Sequence, residues 1–181
     1  MEIFVRQVRE RSLENAKSLR LLHREGLQAN VVSILRQELD SLVRVIFLLS
    51  QTDRTYRTAL ISASVDGHQW TRKDGRGRIT DREMVDLSKH LFNWAKNVYE
   101  FGCAFIHLSS FHDYATRDPL DSVSAADRAT IASYLNYYHC VHLGPNVKFA
   151  EILPYLPNVF DKISSNLECY LKDLEKDGDL S

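Results

Sequence analysis

Between Leu27 and Gln51 the apolar residues Val31, Leu35, Leu39, Leu42, Ile46 and Leu49 recur at helical spacing and fall on one stripe. This segment predicts the strongest core helix of the chain. On another of its faces Arg36, Asp40 and Arg44 repeat at i, i+4 and i+8. Exposed, such a ladder adds about 0.2–0.5 kcal/mol per ion pair. Buried, it would fix the register of this helix against a neighbour.

The same period marks further helices. Glu2 to Glu25 reads as one, with Ala16, Leu19, Leu22 and Leu27 at helical spacing and Gly26 placed to stop it. His23 fits a surface histidine near its C-terminus. Asp53 to Val65 reads as a shorter helix, begun by Thr52 or Asp53 and ended by Asp66-Gly67. Pro119 holds Asp118 out of helical geometry within the loop FHDYATRDPLDSVS. Ser124 with Asp127 restarts a helix that runs to about Val141. Its Tyr134, Tyr137 and Tyr138 read as packing and partner surface rather than a base-stacking platform. Gly144-Pro145 follows. The last helix spans Asn158 to Lys176 with Val159, Ile163, Leu167, Tyr170 and Leu174 in register and Pro157 in its first turn. The tail DGDLS reads as frayed. These segments predict an all-α bundle of about five or six helices forming a single domain over residues 1–181.

Thr80 to Ser110 reads as one long amphipathic helix opened by a Thr80–Glu83 capping box. Leu87, Leu91, Trp94, Val98, Phe101 and Phe105 form its apolar side. Asp86, His90, Asn93, Asn97 and Glu100 fall on a separate arc. A His/Asn stripe without Lys/Glu pairs fits either an exposed face or the lining of a groove or inter-subunit seam. Tyr99, Cys103 and His107 sit at successive i, i+4 positions.

Just before this helix, HQWTRKDGRGRIT lacks helical period. Asp74-Gly75 is a two-residue hairpin signal, and folding about it opposes Trp70 to Ile79. A small β-hairpin insertion is therefore expected. Arg72, Lys73, Arg76 and Arg78 surround its turn against the single acid Asp74. Two readings fit: a ribbon that holds phosphate, or a solvated turn.

The formal net charge of −1 excludes a global field toward nucleic acid or membrane, so any basic site must be local. Three cysteines without framework spacing point to a reducing, cytoplasmic setting. MEIFVRQVRERSLEN lacks a signal-peptide apolar run, and Val43 to Leu49, which carries Arg44, is too short to span a bilayer. No membrane association is expected. There is no phosphate-binding G-x-x-x-x-G-K-[ST], no dinucleotide fingerprint, no G-x-S-x-G, no H-E-x-x-H and no C-x-x-C. No cofactor is implied. Cys103, His107, His139 and His142 are zinc-ligating types, but their spacing matches no recognised finger, so no metal site is assigned.

Two segments together resemble the HEPN superfamily of small helical bundles. Its divergent bacterial members carry a leucine-rich L-L-R-S-L-L-E segment and a later helix of the form Y-x-x-L-S-x-x-x-H. Ile34, Leu35, Arg36 and Asp40 occupy the first pattern here. Tyr99, Gly102, Cys103 and His107 occupy the second, with Gly for Leu and Cys for Ser. The resemblance spans roughly residues 10–110. It implies an RNA- or nucleotide-interacting protein of a bacterial defence or toxin system, with ribonuclease activity in its catalytic forms, and a homodimer or a protein partner.

HEPN nucleases use R-x4–6-H at the start of a helix: Arg holds the scissile phosphate and His moves protons. That motif is absent here; Arg82 precedes His90 by two helical turns, and His112 precedes Arg117. The expected site is instead composite. His107 or His90 serves as acid/base, Asn97 or Asn93 orients, and Arg82 or the ribbon arginines meet phosphate. The alternative is a non-enzymatic helical module that dimerises or binds a partner, which the missing motif favours.

Overall fold

The computed structural model describes residues 1–88, 94–107 and 109–180. Their helices are α1 (Glu2–Arg24), α2 (Gln28–Leu49), α3 (Arg54–Val65), α4 (Asp81–Leu87), α5 (Trp94–Ile106), α6 (Ala125–His139), the single turn α7 (Phe149–Ile152) and α8 (Leu156–Glu175). Short 3-10 turns lie at Ser110–Asp113, Pro119–Ser122 and Leu153–Tyr155. No strand occurs among the described residues, and the protein is all-α. None of its described helices is long and apolar enough to cross a membrane.

The helices begin where the capping chemistry places them. Asp53 accepts from the amides of Thr55 and Tyr56 at 3.0 and 3.1 Å, opening α3. Thr80 and Glu83 form the expected reciprocal box at the start of α4. Ser124 accepts from Asp127 N at 3.1 Å and opens α6. That helix ends slightly earlier than expected, at His139, because Cys140 takes the left-handed conformation (φ 53°). The Asn136 side chain then bonds both the amide and the carbonyl of Leu143 and turns the chain.

The core is built around α2, whose Val31, Val32, Leu35, Leu39, Leu42, Val43, Ile46 and Leu49 are all buried. The stripe Leu156, Phe160, Ile163, Leu167, Leu171 and Leu174 lays α8 against it, and α1 and α5 pack on its other sides. Each fully buried side chain of this kind contributes about 1.5–3 kcal/mol before the entropy cost of ordering it. Arg9 adds a polar tie from α1 to α8 through Glu168 and Glu175 at 2.9 and 2.8 Å.

Three expectations are corrected. The segment from Thr80 to Ser110 is not described as one helix: α4 closes at Leu87, where the Ser88 hydroxyl donates back to Val85 O at 2.7 Å. The next helix, α5, starts at Trp94 and ends at Ile106. His90, Leu91 and Asn93 lie outside the described residues.

The β-hairpin is the second correction. Trp70 and Ile79 do oppose each other, with Ile79 N donating to Trp70 O at 3.0 Å. Yet only an isolated bridge, Thr71 to Arg78, forms between the two sides. The loop is wider than the two-residue turn expected from Asp74-Gly75. Arg72 N pairs with Gly77 O at 3.1 Å, Asp74 bonds Arg76 N at 2.9 Å, and Gly75 and Gly77 both take positive φ.

The tail is the third. Arg57, 1% exposed, donates to the carbonyls of Leu49, Gln51 and Gly178 and pairs with Asp177 and Asp179 at 3.2 and 3.0 Å. Arg54 pairs with the same two acids, and Leu180 N donates to Leu49 O at 3.1 Å. The acidic tail is thus bound to α3 rather than frayed. Arg57→Ala removes the donor to Gln51 O, one donor each to Leu49 O and Gly178 O, and the ion pairs with the tail, and urea unfolding is expected to show a loss of about 2–4 kcal/mol. An unchanged midpoint would mean that water replaces the guanidinium at no cost.

Candidate functional site

The Arg36–Asp40–Arg44 ladder of α2 is a junction between helices rather than an exposed face. Asp81, the first residue of α4, reaches between the two arginines: Oδ2 lies 2.9 Å from Arg36 Nη2 and Oδ1 lies 3.1 Å from Arg44 Nη2. Arg44 Nε also bonds Asp40 at 3.0–3.1 Å, and Arg11 of α1 approaches Asp40 at 3.5 Å. The Arg36 guanidinium lies 4.3 Å above the Tyr99 ring, and that of Arg44 lies 5.2 Å from Trp70.

Through these contacts α5 meets α2 at the residues that carry the sequence resemblance. Gly102 makes the approach possible, because a Cβ there would lie 2.6 Å from Arg36 Cβ. Burial opposes the charge on Arg36, yet its hydrogen bond with Cys103 and the charges of Asp40 and Asp81 outweigh this and hold its pKa above the ordinary value. Burial raises the Tyr99 phenol, and neighbouring Cys103 adds to the effect. The Arg36 Nε is buried without a hydrogen-bond partner among the described residues.

Beside Asp40 and Arg44 a cleft of about 360 Å³ opens between α1, α2 and the end of α3, with Arg11, Ser41, Ser64 and His68 among its lining residues. Sequence reasoning did not single out Arg11 or His68. Neither carries a local motif; α1 brings Arg11 and the segment after α3 brings His68 to the cleft that Arg44 also lines.

The expected cations of the ribbon divide into two kinds. Arg72 is bound to Glu83 and to Arg76 O, and Lys73 pairs with Asp53 at 2.7 Å. These two fasten the turn to the N-termini of α4 and α3. Arg76 and Arg78 are exposed, as is Arg82 in the first turn of α4, and none of the three makes an ion pair among the described residues. Glu83 is held at about 2 by Arg72 first and then by the Thr80 amide and hydroxyl.

Of the remaining expected residues, His107 is exposed just past the end of α5, with its amide bonded to Cys103 O at 3.2 Å. Asn97 is half-buried and lines an apolar pocket between α5 and α6, its Nδ2 buried without a partner among the described residues. No hydrogen bond or ion pair joins His107, Asn97 and Arg82 among the described residues. No group of three or more His, Cys, Asp or Glu among them could hold a metal ion. No family model, curated protein or solved structure matches this chain.

Two outcomes follow from this geometry. Gly102→Ala is expected to destabilise the fold by about 1–3 kcal/mol through overpacking against Arg36, despite the better helix propensity of Ala. Chemical denaturation reads it, and a stabilised variant would contradict the close approach. Glu83 should titrate near 2 by carboxyl NMR. Because its folded value lies below the ordinary 4.5, the Arg72–Glu83 tie is fully present above that pH and is lost as pH falls toward 2. Arg72→Ala should raise the value only part of the way, since Thr80 still donates two hydrogen bonds to Glu83.

Proposed function

We propose that this chain is a HEPN-like helical protein that binds RNA, in the setting of bacterial defence or toxin systems, along the basic edge formed by Arg76, Arg78 and Arg82. The observation that carries this reading is the meeting of the two family-like segments: Arg36 beside Asp40 packs on Tyr99, Gly102 and Cys103. The basic edge is supported by the division of the cations. Arg72 and Lys73 are neutralised by acids and hold the turn in place, while three arginines on adjoining segments are left open to solvent. An arginine without an acidic partner is free to take a phosphate oxygen, and fixed neighbours reduce the entropy lost on binding.

In this reading Arg82 meets phosphate, and His107 is the acid–base group of any catalytic form. Binding rather than cleavage is its centre, because the chain lacks R-x4–6-H. A dimerising or partner-binding module is the second reading. It is favoured by Ile3, Leu13 and Leu21, which leave apolar points on the outer side of α1 at 50%, 63% and 51% exposure.

The test is the affinity of the full chain for a single-stranded RNA at two salt concentrations, for the wild type and for Arg76→Ala with Arg78→Ala. The double variant should bind more weakly, with a slope of log affinity against log salt shallower by about 1.4, the value for two lost phosphate contacts on a single strand. Its unfolding midpoint should not move, because neither side chain makes an ion pair among the described residues. Equal affinity and slope would remove the basic edge from the proposal. No RNA binding by the wild type, together with a dimer in solution, would transfer support to the second reading. A parallel cleavage assay with His107→Ala reads the acid–base role; cleavage that persists unchanged would exclude His107.

A further inference from the structure

We propose that the cleft between α1, α2 and the end of α3 is a binding site for the phosphate of a small phosphomonoester, taken up by Arg11, Arg44 and His68. The cleft measures about 360 Å³, and polar and apolar groups share its lining. Phe4 and Val8 of α1 give it an apolar wall. Arg11, Arg44, Ser64 and His68 bring N–H and O–H donors to it from α1, α2, α3 and the turn after α3.

One acid, Asp40, stands among these donors, and it is already engaged. Both of its oxygens accept from Arg44 Nε, at 3.1 and 3.0 Å, and Arg11 Nη1 lies 3.5 Å from Oδ2. Asp40 thus sets the two guanidiniums side by side without using all their donors. Arg44 gives Nε to Asp40 and Nη2 to Asp81, and its Nη1 makes no hydrogen bond among the described residues. Arg11 has only its 3.5 Å approach to Asp40. Ser64 Oγ accepts from Trp70 Nε1 at 2.8 Å, which leaves its own proton to donate.

The charge of the linked network is also positive. Arg11, Arg36 and Arg44 stand against the two carboxylates of Asp40 and Asp81. Arg36 is buried beneath Tyr99, and Arg11 is the exposed member, so the surplus charge is presented at the cleft. A neutral ligand would leave that charge unanswered. A carboxylate offers two oxygens, whereas a phosphomonoester offers three around one centre and so can meet two guanidiniums and a third donor at once. The apolar wall then takes the carbon body.

The test titrates the full chain, in phosphate-free buffer, with phenyl phosphate and with phenol as its uncharged counterpart. The indole N–H resonance of Trp70 reports the cleft through its bond to Ser64, and that of Trp94, outside the lining, is the internal control. Phenyl phosphate should shift Trp70 saturably, leave Trp94 unmoved, and bind at least about ten-fold more tightly than phenol. Arg11→Gln and His68→Gln change exposed side chains and should each weaken phenyl phosphate by about ten-fold, with the unfolding midpoint unmoved. Arg76→Ala with Arg78→Ala should keep full affinity, which separates this site from RNA binding at the basic edge. Uridine monophosphate and a 5′-phosphorylated oligoribonucleotide, each against its dephosphorylated form, then distinguish a free nucleotide from an RNA end as the source of the phosphate. Absence of a saturable Trp70 shift overturns the site. Equal affinity of phenyl phosphate and phenol, full affinity in both cleft variants, or loss of affinity in the Arg76/Arg78 variant overturns the assignment of phosphate to this cleft.

Discussion

The structure turns on the need to bury α2 while it carries Arg36, Glu38, Asp40 and Arg44. A charge removed from water is costly unless a partner meets it in good geometry. Three of the neighbouring helices, α1, α4 and α5, dock where they answer one of these groups. Glu38, with no exposed surface, accepts from the Ser12 hydroxyl and from Asn15 Nδ2 at 3.0 Å, which sets α1. Asp81 sets α4 between Arg36 and Arg44. Tyr99, Gly102 and Cys103 set α5 on Arg36. Apolar burial supplies the larger free energy, and the charges select the register in which it is collected.

A second buried cation closes the other end of the bundle. Arg57 donates to three main-chain carbonyls near the ends of α2 and α8, sharing Leu49 O with the Leu180 amide and Gly178 O with Arg54, and it draws in two acids of the tail. The carboxylates remain largely in water, at 66% and 56% exposure, so only the guanidinium bears a heavy desolvation cost. Five donors in a planar fork suit this task, which an ammonium could not perform at all three carbonyls.

Much of the helical layout was legible because a 3.6-residue period and a capping residue are local signals. The stripe of α2, the Asp53 and Ser124 caps and the Thr80–Glu83 box all stand within a few residues of one another. What stayed hidden lies between residues far apart in the chain. Spacing within α2 identified Arg36, Asp40 and Arg44 as a ladder, but not Asp81 as the residue that joins its two cations. The sequence DGD gave no sign that Arg54 and Arg57 would hold it. Composition marked four cations in the ribbon, but charge alone cannot separate Arg72 and Lys73, which have acids opposite, from Arg76 and Arg78, which have none among the described residues. In the candidate site, His107 and Asn97 were read from one helix, and the fold places them on different surroundings of it.

That last difference defines what α5 does. At 100° per residue Tyr99 and Cys103 lie on one side of it, while Asn97 and Phe101 lie on the opposite side. The first pair faces the charged junction with α2, and the second lines the apolar pocket. Between them Gly102 sits against the Arg36 side chain with no space for even a methyl group. The helix therefore has no slack toward α2. Any change in the filling of the pocket must be absorbed by α6 and α8 or passed to the contact of Tyr99 and Cys103 with Arg36. Close-packed interiors transmit displacement in this way because a few tenths of an ångström already forfeit contact energy. Asp81, bound to the same arginine, precedes Arg82 in the first turn of α4. Neighbouring side chains thus connect the apolar pocket, through α5 and Arg36, to Asp81 at the start of α4.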